Sequence, residues 1–324
     1  MSPRLLPLAA GVLAVAFAGC GSSAGSSSTP APAAGTTAKP EGFPKGAGLT
    51  FQDVQSRYPA QISLGVGASV MRQGANRVPF VVLDKGARPI RNAAVALYTV
   101  HSDGSDVRGP FLARETSFGV SPKYLSKTAA SDPTTAQGFY VSTLQFHGKL
   151  NQGVFALVRM DGRLVAASPS PLGIKSSMAP PPDQGQPAIP VHTLTVHDVA
   201  KVSQITTRVP PDTDMLQDDF AKVLGHKPVV LIFATPALCQ SRVCGPVVDV
   251  AEQVKAAFGN KVAFIHQEIY KDNKPDEGLR PQLLKWRLES EPWTFVIDRT
   301  GRISARIEGA VSVGELRAAV QKVA

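Results

Sequence analysis

The spacing of apolar positions changes along this chain and divides it into segments. Leu5 to Phe17 is one short apolar run. From 49 to 168 the apolar residues come in short stretches that alternate with polar ones, as in Gln61–Val66 and Phe139–Phe146. Val78–Leu83, Ala93–Val100, Val154–Met160 and Arg163–Ala167 are similar, and Asp-Lys-Gly or Asp-Gly turns come after several of them. A period of two with this punctuation predicts strands of an antiparallel sandwich. From Val191 onward the period changes. Pro228–Ala234 is a continuous apolar run, as in a strand covered on both faces. Pro246–Phe258 places Val247, Val250, Val254 and Phe258 on one helical face, with Gly259 at its end. Val262–Ile269 reads as a strand, Leu279–Leu288 as a helix, and Trp293–Ile297 with Arg302–Glu308 as a hairpin. Ser312 and Glu315 form a capping box that opens a last helix. The predicted order of this part is β-α-β-α-β-β-α.

The segments between these patterns are linkers. Residues 21–48 are rich in Ser, Gly, Ala and Pro, and lack the large apolar side chains that would offset chain entropy, so they read as a flexible tether. Residues 169–190 are proline-rich and include Pro180-Pro181-Pro182, a bias toward an extended semi-rigid spacer. Across 324 residues, 43% are hydrophobic and 18% charged, which excludes wholesale disorder. The net charge of +9 is spread without any Lys/Arg run, so nucleic acid is not an expected partner. No apolar run is long enough to span a bilayer as a helix. Arg4, the short apolar run and Phe17-Ala18-Gly19-Cys20 resemble a bacterial lipoprotein signal. That resemblance implies cleavage before Cys20, a lipid on Cys20, and an extracytoplasmic protein tied to a membrane. Cys239 and Cys244 are then left as a pair in an oxidising compartment.

The stretch from Val78 to Val100, with Gly138-Phe139-Tyr140 and Gly153-Val154-Phe155, resembles small immunoglobulin-like domains of exported bacterial proteins. His101 and His147 sit at turns, and this half offers no evident chemistry.

The C-terminal part resembles the thioredoxin superfamily over 191–324. The resemblance rests on the cysteine pair after Phe233-Ala234, on Cys244-Gly245-Pro246, and on Glu291-Pro292-Trp293-Thr294-Phe295-Val296-Ile297-Asp298 before Gly301. It implies an α/β thioredoxin-like domain in which Pro292 is cis and faces the cysteines. The expected fold class is therefore multidomain, an all-β immunoglobulin-like sandwich followed by this α/β domain. A helix N-terminus stabilises a thiolate, and Arg242 between the cysteines adds positive charge. Positions i and i+5 of a straight helix point apart, so Cys239–Val243 has to be a loop if the pair is to close. The motif is Cys-x4-Cys where the family has Cys-x-x-Cys. Aligned on Cys-Gly-Pro, Cys244 is the attacking thiolate and Cys239 the resolving one. Aligned on the distance from Phe233, the roles reverse. Val229–Phe233 lacks the buried carboxylate that many thioredoxins carry in that strand.

The resemblance implies dithiol/disulfide exchange with exported thiol or disulfide partners and no organic cofactor. Catalysis would fall to Cys239, Cys244 and Pro292, with Trp293 and Arg242 lining the substrate groove. Three alternatives stand beside it. One is a peroxiredoxin-type peroxide reductase, from the likeness of Ser241-Arg242-Val243-Cys244 to Thr-x-x-Cys. Another is a copper chaperone using Cys239, Cys244 and His266, two soft sulfurs and an imidazole. The third is a permanent structural disulfide.

Overall fold

The computed structural model describes Lys39 and residues 42–132, 135–146, 152–172, 179–239 and 241–324. Cys20, most of the tether and His147 lie outside these residues. After a short helix α1 (Phe51–Arg57) come strands β1 (Ala60–Val66), β2 (Gly74–Leu83), β3 (Ala94–His101) and β4 (Arg108–Ser117). Helix α2 (Lys127–Ser131) is followed by β5 (Gly138–Phe146), β6 (Gln152–Met160), β7 (Arg163–Ala167) and the two-residue β8 (Ser170–Pro171). The remainder holds α3 (Phe220–Val223), β9 (Val229–Phe233), α4 (Cys244–Phe258), β10 (Ala263–Gln267), α5 (Pro281–Trp286), β11 (Trp293–Ile297), β12 (Ile303–Glu308) and α6 (Val313–Gln321).

The first seven strands close on themselves. Their order is β3-β4-β5-β2-β1-β7-β6, and β3 pairs again with β6. The β1–β7 pair is parallel and the other barrel pairs are antiparallel. This is a closed, mixed seven-stranded barrel, so the expected immunoglobulin-like sandwich is corrected. Beyond the barrel lies a second sheet with few helices, which overturns the expected class of a sandwich followed by an α/β domain. The physical reason is that inward and outward residues alternate along a strand identically in a sandwich and a barrel. Only the pairing partners differ: β1 joins β2 to β7, and β3 joins β4 to β6. Strand β4 is not evident in the alternation of apolar positions. It contains Pro110 and the charged pair Arg114-Glu115, and Glu115 is nonetheless 3% exposed, with its carboxylate on Arg91 and the Asn92 amide.

Barrel strands are buried on both faces. Val78, Phe80, Val82, Val95, Leu97, Leu144, Val154, Ala156 and Val158 form one apolar cluster. Ala96, Tyr98, Phe155 and Leu157 face the other way, onto Val54 of α1 and onto Phe43, which precedes that helix. A capping box between Thr50 and Asp53 holds α1 at its start.

The second sheet has the order β10-β9-β11-β12, with β9 and β10 parallel and β11 antiparallel to both β9 and β12. Val229, Leu231 and Phe233 face Phe220, Leu283, Trp286, Trp293 and Phe295. Val230 and Ile232 face α4 and α6, in a cluster that also takes Val81, Phe118, Ala136 and Phe139 from the barrel. Barrel and sheet thus share a core and form one compact unit. Backbone and side-chain bonds join them as well. Val313 N–H donates to Phe118 O at 2.9 Å, Ser69 N–H to Glu308 at 2.7 Å, and Arg77 pairs with Glu315 at 3.1 Å. The described part of the proline-rich segment is laid along β12 rather than spanning open space. Gly185 N–H donates to Ile303 O, Ile303 N–H to Gln186 O, and Ala188 N–H to Gly301 O.

Candidate functional site

Strand β9 carries the chain through the middle of the second sheet and releases it at Ala234. Its amide still donates to Gln267 O, at 3.1 Å. Between there and α4 the chain makes a loop. Ala237 N–H donates to Thr207 Oγ1, and Thr207 in turn donates its amide and hydroxyl to Glu268 Oε1 at 2.6 and 2.8 Å. Arg242 N–H donates back to Cys239 O, and Arg242 adopts a left-handed φ of 60°. This turn brings the Cα atoms of Cys239 and Cys244 to 5.9 Å, and their sulfurs are joined in a disulfide. Helix α4 begins only at Cys244, so the sulfur of that residue sits in the first turn of a 15-residue helix. Aligned peptide dipoles there favour negative charge on a released sulfur.

The two sulfurs are not equivalent. Cys244 is 0% exposed and Cys239 is 8% exposed. Cys239 is therefore the less enclosed residue of a buried pair. The alignment that makes Cys244 the attacker places that role on an enclosed sulfur. Val243, Val247 and Val248 of the helix entrance and Phe118 and Ala136 of the barrel pack in the same apolar cluster as the pair.

A carboxyl group missed by sequence reasoning meets the enclosed sulfur. Glu291 Oε2 lies 3.5 Å from Cys244 Sγ and accepts from Thr235 N–H at 2.9 Å. Burial pushes its pKa up to about 8. The Thr235 amide opposes the shift and the charge of nearby Glu268 adds to it. At neutral pH this carboxyl holds its proton beside the sulfur. The first core strand, Val229–Phe233, contains no such group, and this one arrives from the turn before β11. The available signal was its position immediately before Pro292.

The Glu291–Pro292 peptide bond is cis, and Pro292 O accepts from Gly309 N–H at 2.8 Å. Arg242 stands at the surface between the cysteines, and its guanidinium is 3.3 Å from Asp132 at the end of α2. Trp293, expected at the groove, is 0% exposed. It pairs with Phe233 across the sheet and stacks on Phe295, and its indole N–H donates to Ser290 Oγ at 3.0 Å. It is a core residue and lines no groove, because it shares a strand face with Phe295 and Ile297. His266 does not join the sulfurs. It is buried in β10, its Nε2–H donates to Ala234 O at 2.9 Å, and burial holds its pKa low. Among the described residues, the His, Cys, Asp and Glu ligand atoms that gather within 4.8 Å of one another are those of Cys239, Cys244 and Glu291.

Behind the site, Arg208 and Asp249 form a buried ion pair at 2.9 Å, with side chains 3% and 0% exposed. Asp249 also accepts from the amide and hydroxyl of Ser126 at 3.0 and 3.1 Å, and Arg208 donates to Tyr124 O at 2.8 Å. These bonds fasten barrel residues 124–126 to the middle of α4. A cavity of about 180 Å³ opens beside the first turn of that helix, between Pro246 and the barrel residues Phe118, Val120, Leu125 and Ala136.

The second sheet, in the order β10-β9-β11-β12, is followed after β9 by the cysteine pair at the entrance of α4. No described helix is long and apolar enough to cross a membrane. No protein-family model and no curated protein matches the chain. Among solved structures, a thiol:disulfide interchange protein of the thioredoxin family from Chlorobium tepidum TLS is similar over 46% of this chain and 99% of its own, at 15% identity and a TM-score of 0.28.

Proposed function

We propose that this protein is a thiol–disulfide oxidoreductase of the extracytoplasmic space. It is held to a membrane by a lipid on Cys20 and acts on exported proteins or redox partners that carry thiols or disulfides. The observation that carries this reading is a closed Cys239–Cys244 bond at the entrance of α4 with the Glu291 carboxyl 3.5 Å from the enclosed sulfur.

In the oxidising direction a partner thiolate attacks Cys239 Sγ. The Cys239–Cys244 bond breaks, a mixed disulfide forms on Cys239, and Cys244 leaves as a thiolate. Glu291, protonated at neutral pH, supplies a proton to that sulfur. The partner's second thiol then attacks the mixed disulfide. The partner leaves oxidised, and Cys239 and Cys244 remain as thiols. In the reducing direction every step runs backward, and Glu291 takes the Cys244 proton. The N-terminal turn of α4 stabilises the Cys244 thiolate at the moment it is released.

The test is dithiothreitol-driven reduction of insulin by the full chain beside its Cys239→Ser, Cys244→Ser and Glu291→Gln variants. Turnover lost in both cysteine variants and slowed in Glu291→Gln supports the reading. Burial of both sulfurs favours a second reading, a permanent structural disulfide. A bond that dithiothreitol leaves closed in the folded protein selects that one. Release of a Cys20→Ser variant from the membrane fraction tests the anchor.

A further inference from the structure

We propose that the reduced site is a metal site, in which Cys239, Cys244 and Glu291 together bind one Zn²⁺. The three donor groups already lie within 4.8 Å of one another. The separation that matters is 3.5 Å between Cys244 Sγ and Glu291 Oε2. A tetrahedral zinc with Zn–S of about 2.3 Å and Zn–O of about 2.1 Å sets sulfur and oxygen about 3.6 Å apart. One edge of the coordination polyhedron is therefore already drawn in the oxidised protein. The second edge, sulfur to sulfur, is about 3.8 Å in the same geometry. Opening the disulfide lets the sulfurs move apart to that distance. The Cα atoms need not move, since 5.9 Å is also a separation at which two side chains can converge on one ion.

The donor chemistry favours zinc over the alternatives. Two thiolates and one carboxylate are a borderline-soft set that suits Zn²⁺, whereas Cu⁺ would use the sulfurs and leave the oxygen aside. Glu291 is held for the task by the Thr235 amide at 2.9 Å, the kind of outer hydrogen bond that orients a ligating carboxylate. His266 is spoken for by Ala234 O and contributes nothing. Three protein ligands leave a fourth position for water or for a partner's thiolate. In forming the site, two S–H bonds and the Glu291 O–H bond are replaced by two Zn–S bonds and one Zn–O bond, and three protons pass to solvent. The disulfide form has no thiolate to offer, so metal capture is restricted to the reduced protein, and zinc on the sulfurs shields them from reoxidation.

The experiment is a Zn²⁺ titration of the full chain against a chromophoric chelator, after reduction with a phosphine and, separately, in the oxidised state. One zinc per reduced chain and none above background on the oxidised chain is the expected result. Glu291→Gln, with both thiols still counted by a thiol reagent, should weaken binding by roughly tenfold or more. Cys239→Ser and Cys244→Ser should each abolish it. Zinc-loaded protein should close its disulfide more slowly than metal-free reduced protein under the same oxidant. Equal zinc uptake by the oxidised and reduced chains overturns the proposal. So does a Glu291→Gln variant that binds zinc as tightly as the parent, or a reduced chain that takes no zinc. These outcomes are independent of insulin turnover, so failure here leaves the exchange chemistry to stand or fall by its own assay.

Discussion

Replacing Glu291 by Gln removes a titrating carboxyl while keeping an oxygen for the Thr235 amide. In the native protein burial raises this carboxyl from 4.5 to about 8. At about 1.36 kcal/mol per unit, the difference between folded and unfolded chains approaches roughly 5 kcal/mol as an upper bound. The sign comes from proton counting. Between those two values the folded chain holds a proton that the unfolded chain has lost, so stability falls as pH rises. The neutral carboxyl's contribution is fully present below pH 4.5, declines from there, and is gone above about pH 8. Glutamine carries no such dependence. Other buried groups titrate in both proteins, so the informative quantity is the difference between them. Guanidinium unfolding of parent and variant, unreduced, at a series of pH values from 5 to 9 provides it. The variant should gain on the parent steadily with pH, by up to roughly 1.4 kcal/mol per unit through the middle of the range. Two curves that stay parallel would refute the claim that this carboxyl is neutral beside Cys244.

Three further outcomes are expected. With Cys20 also replaced by Ser, the lone Cys239 thiol of Cys244→Ser should react with an aromatic disulfide reagent roughly tenfold faster than the lone Cys244 thiol of Cys239→Ser, because exposure limits the enclosed sulfur; a faster Cys244 would return the attacking role to it. Asp249→Ala leaves the buried Arg208 with Glu252 as its remaining carboxylate partner and should lower unfolding stability by about 3 kcal/mol, the low end for a broken buried pair, and a loss below about 1 kcal/mol would mean the pair is dispensable. Trp293→Ala should likewise cost about 3–5 kcal/mol of stability, as for other buried aromatics; an unchanged denaturation midpoint combined with weaker substrate capture would restore it to a groove.

Some of this architecture was legible in the residues and some was not, for identifiable reasons. The helix after the cysteines announces itself through Val247, Val250 and Val254 and stops at Gly259, whose φ is 54°. Ser312 and Glu315 do form the capping box of α6. Helix geometry alone required a loop between the cysteines, and the chain meets that need with the turn at Arg242. Closure of the barrel was not legible, because alternation tells which way a side chain points and not which strand lies beside it. Strand β4 hid behind Pro110 and Glu115, a polar sequence that becomes buried only because Arg91 accompanies it. The placing of Trp293 failed for a simpler reason. Its neighbours at i+2 and i+4, Phe295 and Ile297, are both apolar and define a core face. Glu291 was visible in the same motif as Pro292, yet carries its role only through contacts with Thr235 and Cys244 from distant parts of the chain.

The shared cluster has a consequence for how the chain is made. Phe118 and Phe139 are synthesised early, yet Val248, Val254, Leu316 and Val320, which complete their surroundings, emerge much later. Until then the outer wall of the barrel stays greasy and unmated, a state prone to sticking to other chains. Biogenesis of this protein should therefore lean on a chaperone that holds the first half until the second half arrives, and fragments cut between 190 and 240 should precipitate where the whole chain does not.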